Sequence, residues 1–225
     1  MSTVFLDFDG VLFDNRKANQ YISHKATRYV AERVGLPPRS AKLLNEKMYP
    51  YYGHTTRMIN SLRLTKNDVT ISDFNEFVYD EETFDFITNL ELTRDDKALY
   101  ADWSDTLCDD RFGRLFVLSN APTKWIKVCL SHLNNHTTSA KCILFEDIVS
   151  VPEMMDGAMK PCEEAYTYME SMCDGRGIYV EDNATNFKRS SSISNVLLKS
   201  AAHVSTANSK THMIIKEPRE LSLGP

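Results

Sequence analysis

Short, unbroken apolar runs alternate along this chain with stretches in which apolar residues recur every three or four positions. The runs at 3–8, 114–119, 142–145 and 177–180 read as strands, with a weaker one at 212–215. Continuously apolar stretches such as Leu115-Phe116-Val117-Leu118 suit a parallel sheet covered on both faces, where neither side of a strand meets water. Between the runs, 122–133 carries Trp125, Val128, Cys129, His132 and Leu133 at helical spacing, with Pro122 suited to a first turn. Segment 162–173 repeats the pattern with Ala165, Tyr166, Met169, Met172 and Cys173. Strand alternating with helix predicts an open α/β sheet.

One long interruption breaks the alternation. From residue 15 to about residue 110 no buried strand is evident. Segment 19–34 places Ile22, Ala26, Tyr29, Val30 and Arg33 at helical spacing, and Gly35-Leu36-Pro37-Pro38 stops it. Further helical stretches follow at 40–48, 55–62, 72–78 and 94–106. The expectation is an α/β core built from 1–14 and 107–225, with a helical module, 15–106, inserted after the first strand. Segment 189–194 is polar and Ser-rich and reads as a loop, and 217–225 reads as a loose tail.

Composition narrows the class. With 225 residues and 42% hydrophobic content a substantial core can form. A net charge of −5 argues against nucleic acid as a partner, because such proteins present a basic face. Five cysteines without a CxxC pair fit reduced thiols rather than a disulfide frame or a zinc site. No apolar stretch reaches the length of a membrane span, so no membrane association is expected. The first apolar run, about four residues without a basic flank, is too short for a secretion signal. Together these readings predict a cytoplasmic protein.

The chemistry starts at Asp7-Phe-Asp-Gly-Val-Leu-Phe-Asp14. Asp7 and Asp9 stand where a buried strand should end, and residues two apart on an extended backbone share a face, about 6–7 Å apart. Gly10 lets the chain turn away. Two acids so close repel unless a cation or a shared proton relieves them, which suits a Mg²⁺ site with a carboxylate nucleophile and an acid/base beside it. Three other signals follow. A strand ends in Ser119-Asn120-Ala121-Pro122 before a helix, a hydroxyl and amide placed to cradle phosphate; the same residues also cap helices. Lys160 precedes Pro161 and a helix, so its side chain could reach inward and hold a phosphate and the nucleophile together, although surface lysines are common. A strand ends in Glu181-Asp182-Asn183 with Asn186 after it, at the carboxyl edge where open α/β sheets bind ligands.

The order of these four signals resembles the haloacid dehalogenase-like hydrolase superfamily, with motifs matched at 7–14, 119–120, 160 and 181–186. The long gap between the first two resembles the inserted helical cap of its subfamily I. A narrower resemblance is to cytosolic pyrimidine 5′-nucleotidase-like phosphatases. It is carried by Tyr49-Pro-Tyr-Tyr-Gly-His-Thr-Thr56, Phe74-Asn-Glu-Phe-Val-Tyr79, Leu118-Ser-Asn-Ala121 and Val180-Glu-Asp-Asn-Ala-Thr-Asn186. The chain departs from the family where 187–209 is Ser-rich and lacks glycine, and where Glu181 and Asn186 replace commoner residues.

The resemblance implies a Mg²⁺-dependent hydrolase of a small phosphomonoester. Asp7 would attack phosphorus and Asp9 would serve as acid and base. Asp7, Asp9 through its carbonyl, and Asp182 would hold Mg²⁺. Ser119, Asn120 and Lys160 would hold the phosphate, with Gly10, Glu181 and Asn186 supporting them. Tyr52, His54, Thr55 and Arg57 are the candidates for substrate selectivity, and each could equally pack the helical module; Trp125 and Tyr29 read as core. Asp9 argues against dehalogenation, since a halide leaves without a proton. A sugar-phosphate phosphatase or a phosphomutase would share this chemistry, and a catalytically silent phosphate-binding or interaction protein would bind without turnover.

Overall fold

The computed structural model describes residues 1–138, 143–199 and 213–221. The chain divides into two compact units, Met1–Asp14 with Glu91–Pro225, and Asn15–Leu90. After β1 (Ser2–Leu6) come α1 (Arg16–Val34), α2 (Pro38–Tyr52), α3 (Thr55–Ser61), α4 (Ile71–Val78) and α5 (Glu81–Thr88), all in the second unit. The first unit resumes with α6 (Arg94–Leu107), β2 (Phe112–Ser119), α7 (Thr123–His136), β3 (Asp147–Ser150) and α8 (Val151–Met154). It continues through α9 (Glu163–Ser171), β4 (Gly177–Glu181), β5 (Ile193–Leu198) and β6 (Met213–Ile215).

The strands form one six-stranded sheet in the order β3-β2-β1-β4-β5-β6, and every neighbouring pair is parallel. From β1 the chain builds outward through β2 and β3 on one side, then through β4, β5 and β6 on the other. The strand order therefore reverses between β1 and β4, and loops leaving the carboxyl ends of such strands frame a crevice. Register sets what gathers there. Leu6 pairs with Val117 and with Val180, so the residues one step on, Asp7, Leu118 and Glu181, come level. Beneath them, Phe5, Phe116, Tyr179 and Ile193 pack with Ala165, Tyr166 and Met169 of α9, and Phe5 and Phe116 stack at 5.1 Å.

The second unit is all helical. Asn15 caps α1 by accepting from Lys17 and Ala18 N–H at 3.0 Å, and Gly35 at φ 73° ends it as expected. Ala26, Tyr29 and Val30 of α1 pack with Ala41, Met58, Ile59, Phe74 and Val78. Tyr29 is core, as expected.

Several local expectations change. The run 142–145 is no strand over its described residues: Ile143 is buried but Leu144 is 83% exposed. The strand lies just beyond, at Asp147–Ser150, where a sheet edge tolerates polar residues and hydrophobicity is a poor guide. Residues Ile193 and Ser194, expected in a loop, open β5. Ser190 Oγ accepts from Ser192 and Ile193 N–H and turns the chain into the strand. The expected strand at 212–215 is seen as Met213–Ile215, His212 lying outside the described residues. Segment 200–209 of the Ser-rich stretch also lies outside them. Helices α5 and α8 were not expected. The helix expected at 94–106 belongs to the first unit rather than the insert: Trp103 donates its indole N–H to Val11 O at 2.8 Å. Among the described residues no helix is long and apolar enough to cross a membrane.

Candidate active site

Asp7 follows the last residue of β1, and its N–H continues the ladder onto Val180 O at 2.9 Å. The chain then folds back. Leu12 and Phe13 N–H both donate to Phe8 O at 3.0 Å, and Gly10 N–H donates to Phe13 O at 2.9 Å. Gly10 lies at φ 85°, and a Cβ there would fall on the Asp182 carboxylate. Position 10 thus needs glycine for conformation and for space.

The buried ammonium of Lys160 joins the level residues. Its Nζ lies 2.8 Å from Asp7 Oδ1, 2.9 Å from Glu181 Oε2 and 3.1 Å from Leu118 O. An ammonium has three protons, and these three acceptors take them. Asp7 Oδ1 also accepts the Phe8 N–H at 2.7 Å. Glu181 is fully buried and further accepts from the Tyr179 hydroxyl and from Asn183 N–H. Asp182 comes next, and one carboxylate oxygen each from Asp7, Glu181 and Asp182 lie within 4.8 Å of one another.

The charges in this cluster do not balance locally. Burial and the neighbouring Glu181 hold Asp7 well above the usual carboxylate range, against the pull of Lys160. Burial would raise Glu181 too, but Lys160 and the hydrogen bonds from Asp7 and Tyr179 bring it down to about 2. Burial and Glu181 push Asp182 up to about 8. Burial works against the charge on Lys160, and Asp7 and Glu181 overcome it, so its pKa is raised. An all-oxygen donor set with more negative charge than its lysine neutralises, and with Gly10 leaving space beside Asp182, fits a hard divalent cation such as Mg²⁺.

The other expected residues are placed as follows. Asp9 is part-buried, its carboxyl pushed up to about 6 by burial, with the Trp125 indole N–H donating to Oδ1 at 3.2 Å. Ser119 closes β2, and its Oγ accepts from Ala121 N–H at 3.1 Å. Asn120 Oδ1 accepts the Lys160 N–H at 2.9 Å, and the Lys160–Pro161 peptide is cis. Asn186 ends a 3₁₀ turn, Ala184–Asn186, and no side-chain bond ties it to the acids among the described residues. In the second unit, His54 and Thr55 face inward. His54 accepts from Thr56 N–H at the start of α3 and its ring meets Phe74 at 4.7 Å, while Thr55 Oγ1 donates to Asn45. Tyr52 is half-buried against the helical core and Arg57 is exposed.

Two contributors were not foreseen. Tyr179 stands two residues before Glu181, and residues two apart on a strand share a face, so the pattern held that signal. Trp125 is core as expected, yet its N–H also reaches Asp9, which nothing in the pattern announces.

No protein-family model matches the chain, and no curated protein sequence does. The structure is similar to the crystal structure of a haloacid dehalogenase (HAD) phosphatase from Thermococcus onnurineus. The two share 13% identity over 98% of this chain and 95% of that one, at a TM-score of 0.57. Weaker likenesses are to structures described as the HAD-hydrolase YfnB from Bacillus subtilis and a β-phosphoglucomutase from Thermotoga maritima. YfnB gives 14% identity over 97% and 96% of the two chains, TM-score 0.48. The Thermotoga protein gives 16% over 98% and 96%, TM-score 0.46. At such identities the likeness defines the fold: a HAD-like α/β fold, a parallel sheet flanked by helices.

Proposed function

We propose that this chain is a phosphomonoester hydrolase that works through an aspartyl-phosphate on Asp7. The observation that carries the reading is the orientation of Asp7. Lys160 and the Phe8 N–H both hold Oδ1, at 2.8 and 2.7 Å. Two donors on one oxygen fix the carboxylate in a single orientation, as in-line attack requires. Ser119 and Asn120 stand at the end of the neighbouring strand, where a phosphate would be held at the start of α7. Asp9 gives its proton to the leaving oxygen and recovers one from the water that releases phosphate.

Asp7, the Asp9 main-chain carbonyl and Asp182 would hold Mg²⁺, with Glu181 tying Asp182's neighbourhood to Lys160. When bound, the ion screens the charge between nucleophile and phosphate. Lys160, whose three protons are taken by protein acceptors, positions Asp7 rather than reaching for phosphate. The helical unit Asn15–Leu90 enters the chain straight after the Asp7–Asp14 loop, the insertion point of a substrate-selecting cap. With the Tyr49–Thr56 stretch inside it, a pyrimidine nucleoside 5′-monophosphate is the substrate we favour. The four described cysteines are free, which supports a reducing compartment, the cytoplasm.

Release of inorganic phosphate from a panel of nucleoside monophosphates, sugar phosphates and an aryl phosphate, with Mg²⁺ and an Asp7→Asn control, tests the reading. Release favouring UMP and CMP supports it in full. Preference for a sugar phosphate keeps the chemistry and discards the nucleotide. No release by a folded, metal-bound protein overturns it.

A further inference from the structure

We propose that Trp125 is a positioning residue for Asp9, selecting which carboxylate oxygen exchanges the proton. The inference rests on the phosphatase reading above and deepens it. Trp125 is the third residue of α7 and is 1% exposed, with its ring edge on Phe13 at 6.3 Å. Its Nε1–H donates to Asp9 Oδ1 at 3.2 Å, and this is the hydrogen bond the Asp9 carboxylate makes among the described residues. An indole N–H only donates. The oxygen facing it is therefore favoured as the acceptor whether the carboxyl is charged or neutral, and the proton of the acid form is steered onto Oδ2.

This orders the chemistry by atom. In the first half-reaction the Asp7 oxygen–phosphorus bond forms, the bond to the leaving oxygen breaks, and the proton on Asp9 Oδ2 passes to that oxygen. In the second, the water oxygen bonds phosphorus, the Asp7–phosphorus bond breaks, and a water proton returns to Oδ2. A buried aromatic wall also keeps the carboxyl from rotating between its two oxygens, so the acid is presented in one orientation.

The leaving group supplies the test. Nitrophenolate departs with little help from an acid, whereas an alkoxide needs the proton. Trp125→Phe keeps the ring and removes the donor. We expect kcat/KM on a nucleoside 5′-monophosphate, which reports the first half-reaction alone, to fall by about tenfold or more, while kcat/KM on p-nitrophenyl phosphate stays within about threefold. Trp125→His, which restores a ring N–H, should recover part of the alkyl-ester rate. Equal losses of kcat/KM on both substrates in Trp125→Phe would mean the ring serves packing alone and would overturn the proposal. Wild-type protein inactive on both esters would overturn instead the reading beneath it. A measurement that leaves Trp125 in place guards against unfolding of these variants. The chain has two tryptophans, so two indole N–H signals are expected by NMR. In Asp9→Ala the Trp125 signal should move upfield and exchange faster with water while that of Trp103 stays. An unmoved Trp125 signal would refute the hydrogen bond on which the role depends.

Discussion

Among the described residues, each unit buries one lysine on acidic partners, and the two lysines do opposite work. Lys25 of α1 lies 2.5 Å from Asp80 and 3.1 Å from Glu82, at the start of α5. Lys160 lies 2.8 Å from Asp7 and 2.9 Å from Glu181. The two cations are buried alike, with side chains 5% and 2% exposed. Their partners are not alike. The side chains of Asp80 and Glu82 are 37% and 69% exposed, those of Asp7 and Glu181 only 9% and 0%. A carboxylate that reaches water can lose its lysine and be hydrated. A buried one cannot, so Lys160 neutralises charge that has no other remedy within the fold.

The contrast is broken or sharpened first at Asp7. Asp7→Asn removes the proposed nucleophile while keeping shape, so phosphate release should fall by about a thousandfold or more. The melting temperature should hold, because one of the crowded acids has become neutral. Turnover that survives would detach Lys160 from any catalytic role and leave two structural ion pairs of different depth. Next comes Lys160→Met. It strands Asp7 and Glu181 without their cation, and an unpaired buried charge costs about 3–5 kcal/mol. Chemical denaturation should read that loss, and a double variant with Glu181→Gln should regain part of it. A loss near zero would mean the two acids find water, and the two lysines would then be equivalent.

Why this arrangement of residues was only partly legible in the sequence follows from where the information sits. Asp7, Ser119 and Asp182 were readable because each ends or follows an apolar run, and the end of a buried strand is a local pattern. That Lys160 could reach the nucleophile Asp7 was readable from its inward-facing pre-proline position; that Leu118 O and Glu181 join it depends on sheet register, which no single segment carries. The strand β5 hid behind a Ser-rich run, since hydroxyls that turn the chain at Ser190 look the same as those of a loop. The strand β3 was displaced onto its apolar neighbours because an edge strand can be as polar as Asp147-Ile-Val-Ser150. The helix α6 looked like one more helix of the insert, and only its Trp103 bond to Val11 shows which unit it serves.

The next effect belongs to the second unit and is set by pH. His54 is buried beside Phe74 of α4, with the Arg57 charge one turn along α3, and burial followed by Arg57 lowers its pKa from 6.5 to about 4. The unfolded chain therefore takes up the proton first. Stability from this residue is fully present above pH 6.5 and is lost as pH falls toward 4. At about 1.4 kcal/mol per pKa unit the loss approaches about 3 kcal/mol. His54→Asn, which can still cap α3, should flatten that part of the denaturation-versus-pH curve. Identical acid limbs in the two proteins would refute a buried neutral imidazole.

The smallest effect is the most direct probe of the difference between the two lysines. Lys25→Met keeps the apolar stem of the side chain and deletes its charge. The join between α1 and α5 retains the stacked rings of Tyr21 and Phe86, 4.1 Å apart, so the helices stay in register. Asp80 also stays anchored, since it caps α5 by accepting from Thr83 N–H at 3.0 Å. Both acids can hydrate where they stand. The expected loss is therefore about 1 kcal/mol, the range of ion pairs with exposed partners. It should shrink in about 1 M salt, where the screening length falls to about 3 Å. A loss of about 3 kcal/mol that ignores salt would place Asp80 and Glu82 with Asp7 and Glu181 as acids that depend on their lysine. Burial of the cation, rather than of its partners, would then be what decides the energetic weight of such a pair.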